Sequence, residues 1–130
     1  MTDAEFEWRT NLAAIRAMRG DVLIAGLGLG FMILPTLEKR EVSAVTVIEN
    51  NADVIKLIAP QITTEKLQVI HADARTFEPQ KRSYDCVYLD IWANVPNYDD
   101  WKDIKKLKRK YRKALRPKGW IAAWCEDMCA

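Results

Sequence analysis

The chain has 130 residues, 49% of them hydrophobic, enough for one domain with a real core. Twenty Lys and Arg against eighteen Asp and Glu leave a formal net charge of +2, which excludes bulk charge as a guide to partners. Three cysteines without paired spacing and a single histidine argue against a zinc motif, so we expect no metal site and reduced thiols. Asp3, Glu5 and Glu7 stand where a signal sequence would be basic, and no apolar run approaches membrane-spanning length. The expectation is a soluble, cytoplasmic protein.

In chain order, Phe6, Leu12, Ile15 and Met18 recur at a helical period and predict an amphipathic helix from about Asp3 to Met18. Apolar runs predict strands at Val22–Ala25, Val45–Glu49, Leu67–His71 and Tyr84–Asp90. A fifth, Trp120–Trp124, follows the turn signal Arg116-Pro117-Lys118-Gly119. Helical patterns lie between them at Phe31–Lys39, Ala52–Ile58 and Tyr98–Leu115, with Pro35 predicting a kink or a short helix in the first. Only residues 76–83 join the third and fourth strands, too few for a full helix. Nearly all-apolar strands alternating with helices predict one domain, residues 1–130, built on a parallel sheet covered on both faces.

The first strand runs into Gly26-Leu27-Gly28-Leu29-Gly30, where something must approach the backbone closely. A nucleoside triphosphate loop would end in Gly-Lys-Ser/Thr, but Phe31 and Met32 follow Gly30. The dinucleotide fingerprint needs a third small residue where Phe31 stands, which argues against a nicotinamide or flavin enzyme. The observed spacing would let the chain pass flat beneath a bulky, largely uncharged ligand. Three acids then close three successive strands: Glu49, Asp73 just past the third, and Asp90. Glu49 is placed to accept ribose hydroxyl hydrogens and Asp73 an adenine amino hydrogen, because the carbonyl ends of such strands line the ligand crevice. Each acid alone could be a helix cap, but that account fits the three together with the glycines poorly.

The order VLIAGLGLG, VTVIENN, LQVIHADARTF, YDCVYLDIW and LRPKGWIAAW resembles the class I S-adenosylmethionine-dependent methyltransferases, nearest the spermidine-synthase-like branch. The likeness covers about residues 21 to 125. It implies a doubly wound, Rossmann-like α/β sandwich with strand order 3-2-1-4-5, without the C-terminal hairpin of larger relatives. It also implies S-adenosylmethionine as cofactor. Gly26, Gly28 and Gly30 would pass under its methionine and ribose, Glu49 would hold the ribose, and Asp73 with the backbone of Ala74 the adenine. Asp90 would face the methionine amino end or the acceptor. Apart from the resemblance, Trp92 and Asn94 follow Asp90 in a loop at the carbonyl edge and are the nearest groups to shape an acceptor pocket; an aromatic there either stacks on adenine or an acceptor, or closes the core over the crevice. The chain departs from the pattern at Ile24, where many methyltransferases carry an acid. The carboxylates that hold a polyamine in spermidine synthases are also largely missing, so aminopropyl transfer is a lesser expectation than methyl transfer.

From Lys102 to Lys118 the chain holds ten Lys and Arg against one acid, Asp103, while Trp101, Ile104, Leu107, Tyr111 and Leu115 form an apolar stripe. A solvated basic face is the plain reading, and a phosphate-tracking surface for nucleic acid the sharper one. The functional expectation is methyl transfer to an unidentified acceptor; the alternative is a non-catalytic S-adenosylmethionine-binding or partner-binding module. The apolar fifth strand would be a bare sheet edge, which predicts a homo-oligomer unless the N-terminal helix covers it.

Overall fold

Val22, Leu23, Ile24 and Ala25 have no solvent exposure at all, and neither do Cys86, Val87 and Leu89. Strands buried on both faces must be central in a sheet with helices above and below. The structure, a computed structural model, describes residues 4–27, 30, 32–92 and 97–125, with the backbone alone at 4–8 and 98. Its elements are α1 (Ala4–Ala17), β1 (Gly20–Ala25), α2 (Ile33–Glu38), β2 (Val42–Glu49), α3 (Ala52–Ile58), a 3-10 turn (Ala59–Gln61), β3 (Leu67–His71), β4 (Tyr84–Leu89), α4 (Tyr98–Arg112) and β5 (Leu115–Ala123). The five strands form one sheet in the order β3-β2-β1-β4-β5. Every pairing in it is parallel. The expected fold class and strand order are both present.

Alternate side chains of the central strands feed two cores. Val22, Ile24, Val45, Val47, Cys86 and Tyr88 pack with Ile15, Ile33 and Leu37 of α1 and α2, and α3 adds Val54, Ile55 and Ile58. Leu23, Ala25, Ile48, Val87 and Leu89 pack with Ile104, Leu107 and Tyr111 of α4. Burying Ile104 and Leu107 contributes about 1.5–3 kcal/mol each. Like-charged neighbours one turn apart oppose the helix by only about 0.2–0.5 kcal/mol per pair. Packing therefore decides that α4 forms, despite its crowded cations.

Several element ends differ from the sequence expectation. α2 runs from Ile33 to Glu38, with Phe31 outside the described residues; Pro35 is its third residue, where no intrahelical N–H bond is due, and the helix is short, as expected there. α4 stops at Arg112, because Ala114 turns back onto Tyr111 and Leu115 already pairs with Tyr84. β5 therefore begins at Leu115 rather than Trp120. The Arg116–Gly119 turn is an insertion within the strand, with Tyr84 opposite Leu115 and Cys86 opposite Trp120. There the Arg116 guanidinium bonds Asp21 at 2.6 Å and Asp85 at 3.0 Å, tying β5 to β1 and β4 at the edge remote from the strands' carbonyl ends.

α1 is fastened to the same half of the sheet by side chains. Tyr88 donates to Asn11 at 2.5 Å, Trp124 Nε1 to Thr10 Oγ1 at 2.7 Å and Trp120 Nε1 to the Ala17 carbonyl at 3.1 Å. α1 thus lies against the Trp120 indole of β5 and the Trp124 indole just past it, while the outer backbone edge of β5 is a separate matter. β5 pairs only with β4 among the described residues.

Gly26 differs from the expectation in a way that matters. A Cβ there would stand 2.0 Å from the Asp90 carbonyl oxygen, and its φ is +110°. What comes close to this backbone is the chain's own fourth strand. At Gly30 a Cβ would meet only Ile62 and Ile58 among the described residues, at 3.8 and 3.9 Å, so among these its φ of +86° is the demand for glycine. Gly30→Ala should cost about 1–2 kcal/mol, the left-handed penalty alone. Gly26→Ala, which must also displace backbone, should cost roughly 3–5 kcal/mol. Urea denaturation measures both, and equal losses would contradict the assignment.

Candidate functional site

The sheet order reverses direction between β1 and β4, and in open parallel sheets a crevice opens outside the carbonyl ends at that point. One row past the last regular pairing, the backbone ladder continues: Gly26 N donates to Ile48 O at 2.8 Å, Asp90 N to Ala25 O at 2.8 Å and Ala72 N to Glu49 O at 3.0 Å. Gly26, Glu49 and Asp90 therefore share one level of the sheet. Glu49 and Asp90 flank β1 from either side, roughly 9–10 Å apart by the spacing of two strands. The structure brings these three expected residues together.

Glu49 is half-buried and held in place. Its Oε1 accepts from the Leu27 N–H at 2.8 Å and its Oε2 from the Asn51 N–H at 2.9 Å. Each carboxylate oxygen has two acceptor positions, so one on each remains for a ligand. Asn51 in turn caps α3, taking the N–H groups of Asp53 and Val54 at 2.9 and 3.4 Å. The link from Leu27 through Glu49 and Asn51 ties the glycine turn to the start of α3. The sequence carried one sign of it, an Asn two places after a strand-ending acid. The role of Leu27 is made by backbone and left no signal.

Asp73 and Ala74 lie beside the first row in the turn after β3. Asp73 Oδ1 accepts from the Arg75 N–H at 2.9 Å, and its carbonyl accepts from Thr76 and Phe77. Ala74 is buried, and its carbonyl accepts from the buried Tyr111 hydroxyl at 2.6 Å. No hydrogen bond occupies Asp73 Oδ2 or the Ala74 N–H among the described residues. The turn is braced again from α4, by Arg75 on Asp103 at 2.5 Å and by Lys110 on the Arg75 carbonyl at 2.8 Å. Tyr111, read from sequence as core alone, thus also positions this turn.

Asp90 is partly exposed, and Trp92, two residues on, packs against the α4-side core. The Trp92 indole Nε1 is buried with no hydrogen-bond partner among the described residues, which is unusual for a donor. Gly28 and Asn94, also expected here, lie outside the described residues. α4 then opens on a capping box, the Asn97 side chain taking the Asp100 N–H and the Asp100 carboxylate taking the Asn97 N–H, both at 3.0 Å. Among the described residues no helix is long and apolar enough to cross a membrane.

No family model and no curated protein matches the chain. Solved structures do. An S-adenosylmethionine-dependent methyltransferase from Mesorhizobium loti aligns with a TM-score of 0.68 at 19% identity, over 88% of this chain and 52% of that one. One from Leishmania major aligns at 0.70 and 16% identity, over 92% and 49%. A phosphoethanolamine N-methyltransferase from Haemonchus contortus, in complex with phosphoethanolamine and S-adenosylhomocysteine, aligns at 0.74 and 16% identity, over 92% and 25%. The chain spans about half the length of the first two and a quarter of the third. At this identity the likeness concerns the fold, which this chain shares with class I S-adenosylmethionine-dependent methyltransferases.

Burial, and then the charges of Asp73, Glu78 and Tyr84, push the Tyr111 hydroxyl above the ordinary tyrosine value of 10. The folded chain therefore keeps a proton that the unfolded chain releases near pH 10, so stability is intact below that pH and declines as pH rises further. Tyr111→Phe should cost about 1–3 kcal/mol at neutral pH, because it leaves the buried Ala74 carbonyl without the Tyr111 hydroxyl. Its stability should decline less steeply than the parent's above pH 10, as read by urea midpoints across pH. Parallel alkaline profiles would contradict this.

Proposed function

We propose that this chain is an S-adenosylmethionine-dependent methyltransferase domain acting on an acceptor not yet identified. One observation carries the reading: a carboxylate fixed by two backbone N–H groups, Glu49, level with Gly26 and Asp90 at the reversal point of the sheet. The uncommitted groups suit an adenosine. Glu49 has an open acceptor position on each oxygen for ribose hydroxyls. Asp73 Oδ2 can accept from an adenine amino group, and the Ala74 N–H can donate to a ring nitrogen. Gly26 and Gly30 stand in the adjoining segment, to which the motif also assigns Gly28.

When bound, S-adenosylmethionine supplies a methyl group made electrophilic by a sulfonium. The chain's own part is mostly orientation, since holding an acceptor atom in line can remove about 7–11 kcal/mol of barrier. Asp90 is the acid placed to take a proton from an amine or hydroxyl acceptor. Trp92 and Asn94 shape the acceptor side, where the unpartnered Trp92 N–H would meet an acceptor oxygen or nitrogen. The finer kinship to the spermidine-synthase-like branch rests on the motif order, and aminopropyl transfer stays the lesser reading. A second reading, a non-catalytic S-adenosylmethionine-binding or partner-binding module, draws on Ile24, a buried apolar residue where many methyltransferases place an acid. We also propose a cytoplasmic location and self-association along β5, the outer strand beside β4. A clean monomer mass by light scattering at micromolar concentration would remove the self-association.

Calorimetric titration with S-adenosylmethionine, S-adenosylhomocysteine and NAD tests the reading directly, with binding of the first two and not the third expected. Charge-assisted hydrogen bonds contribute about 1.5–3 kcal/mol, so Glu49→Ala should weaken S-adenosylhomocysteine binding by roughly tenfold or more. Because Glu49 also holds two backbone groups, the comparison is made where the variant's melt remains cooperative. Unchanged affinity would refute the ribose assignment. Asp90→Asn should lower turnover by about a hundredfold, the lower range for a lost general base, with cofactor affinity nearly constant. Equal losses in both would make Asp90 a cofactor-holding residue.

A further inference from the structure

The outer face of α4 is cationic throughout. Lys102, Lys105, Lys106, Arg109, Arg112 and Lys113 are all exposed and recur three, four and seven residues apart, opposite the buried Ile104, Leu107 and Tyr111. From Lys102 onward no acidic residue interrupts the arc: the exposed Asp99 lies one turn before Lys102, Asp103 sits on the flank with Arg75, and Glu78 takes Lys110 and Lys113 at 3.5 and 3.8 Å. For Lys105, Lys106, Arg109 and Arg112 no carboxylate lies within 4.0 Å among the described residues. Lys105 instead lies over the Trp101 ring, 4.2 Å from its centroid.

An ordinary solvated helix mixes signs one turn apart, which stabilises it, whereas this face stacks like charges that repel. The whole chain has a net charge of only +2, so the cations are segregated here while the remainder is net acidic. From Lys102 to Lys113 the face extends roughly 16 Å along the helix axis. A nucleic-acid duplex offers about one phosphate charge per 1.7 Å, so about ten over that length.

We propose that the exposed face of α4 binds the phosphate backbone of a nucleic acid. An anionic membrane is the poorer fit, because an interfacial helix needs exposed apolar side chains and those of α4 are turned into the core. α4 begins eight residues after Asp90, so a strand lying on this face approaches the candidate site at the helix's N-terminal end. That the bound nucleic acid is also the methyl acceptor rests on the proposed function; the binding does not.

The test is fluorescence anisotropy with a labelled RNA duplex, the matching DNA duplex and a single RNA strand, titrated from low to physiological salt. Lys106→Gln/Arg109→Gln is compared with Arg40→Gln/Lys56→Gln, an equal charge change at exposed positions outside α4. The α4 pair should weaken binding roughly tenfold or more at low salt and reduce the salt slope by about two, with the control pair near the parent. Cooperative melts of both variants secure the comparison. Preference among the three labelled probes identifies the source of the phosphates. Absence of binding at low salt, or equal loss in both pairs, would overturn the proposal. So would tighter binding to phosphatidylserine-rich vesicles than to every nucleic acid. Binding with the expected slope in a protein that fails to bind S-adenosylhomocysteine upholds the surface and removes the methyl-transfer reading alone.

Discussion

The Asp90 carbonyl occupies the space that a side chain on residue 26 would need. β1 and β4 run in register as far as Ala25 and Leu89, and one residue later they touch backbone to backbone. Past that contact β1 leads into the glycine-bearing segment and β4 toward Trp92, at the level where open parallel sheets form their crevice. The contact also fixes the level of Glu49, since Gly26 N bonds Ile48 O while Leu27 N bonds the Glu49 carboxylate. Gly26, the glycine expected beside a ligand, is thus first a condition for this contact between the two central strands.

The architecture was legible in sequence because its cause is local. Runs such as Val22–Ala25 and Cys86–Leu89 are apolar at every position, a pattern that only strands covered on both faces sustain. β3 and α3 have the bounds their periodicity gave. Errors fell where a tertiary contact sets a boundary. Leu115 has the helical spacing of Ile104 and Leu107, yet it pairs with Tyr84 and opens β5.

The site was legible in its acids and illegible in what holds them. Glu49, Asp73 and Asp90 stand out because charged residues end apolar strands. The partners that orient Glu49 and Asp73 are backbone groups of Leu27, Asn51 and Arg75, which no residue type announces. Tyr111 was hidden differently: its helical spacing accounts fully for its burial, and its hydroxyl on the Ala74 carbonyl has no expression in periodicity. Trp92 was visible as an aromatic beside the crevice, but its buried, unpartnered N–H belongs to packing alone.

α4 connects the two halves of this account. Its buried stripe closes the core beneath β4 and β5, its flank holds the Asp73–Ala74 turn through Tyr111, Asp103 and Lys110, and its outer arc carries the chain's concentrated positive charge. The β3–β4 connection has no helix, so the turn relies on α4 for bracing that a crossover helix would otherwise give. A load on the outer arc is then coupled to the turn through one rigid element, because the residues facing outward and those gripping Ala74 and Arg75 alternate along the same helix. Such coupling needs no hinge, only that α4 shift as a body, and the buried Ile104, Leu107 and Tyr111 oppose that shift. The helix is accordingly better suited to hold a partner in fixed register with the crevice than to signal its arrival.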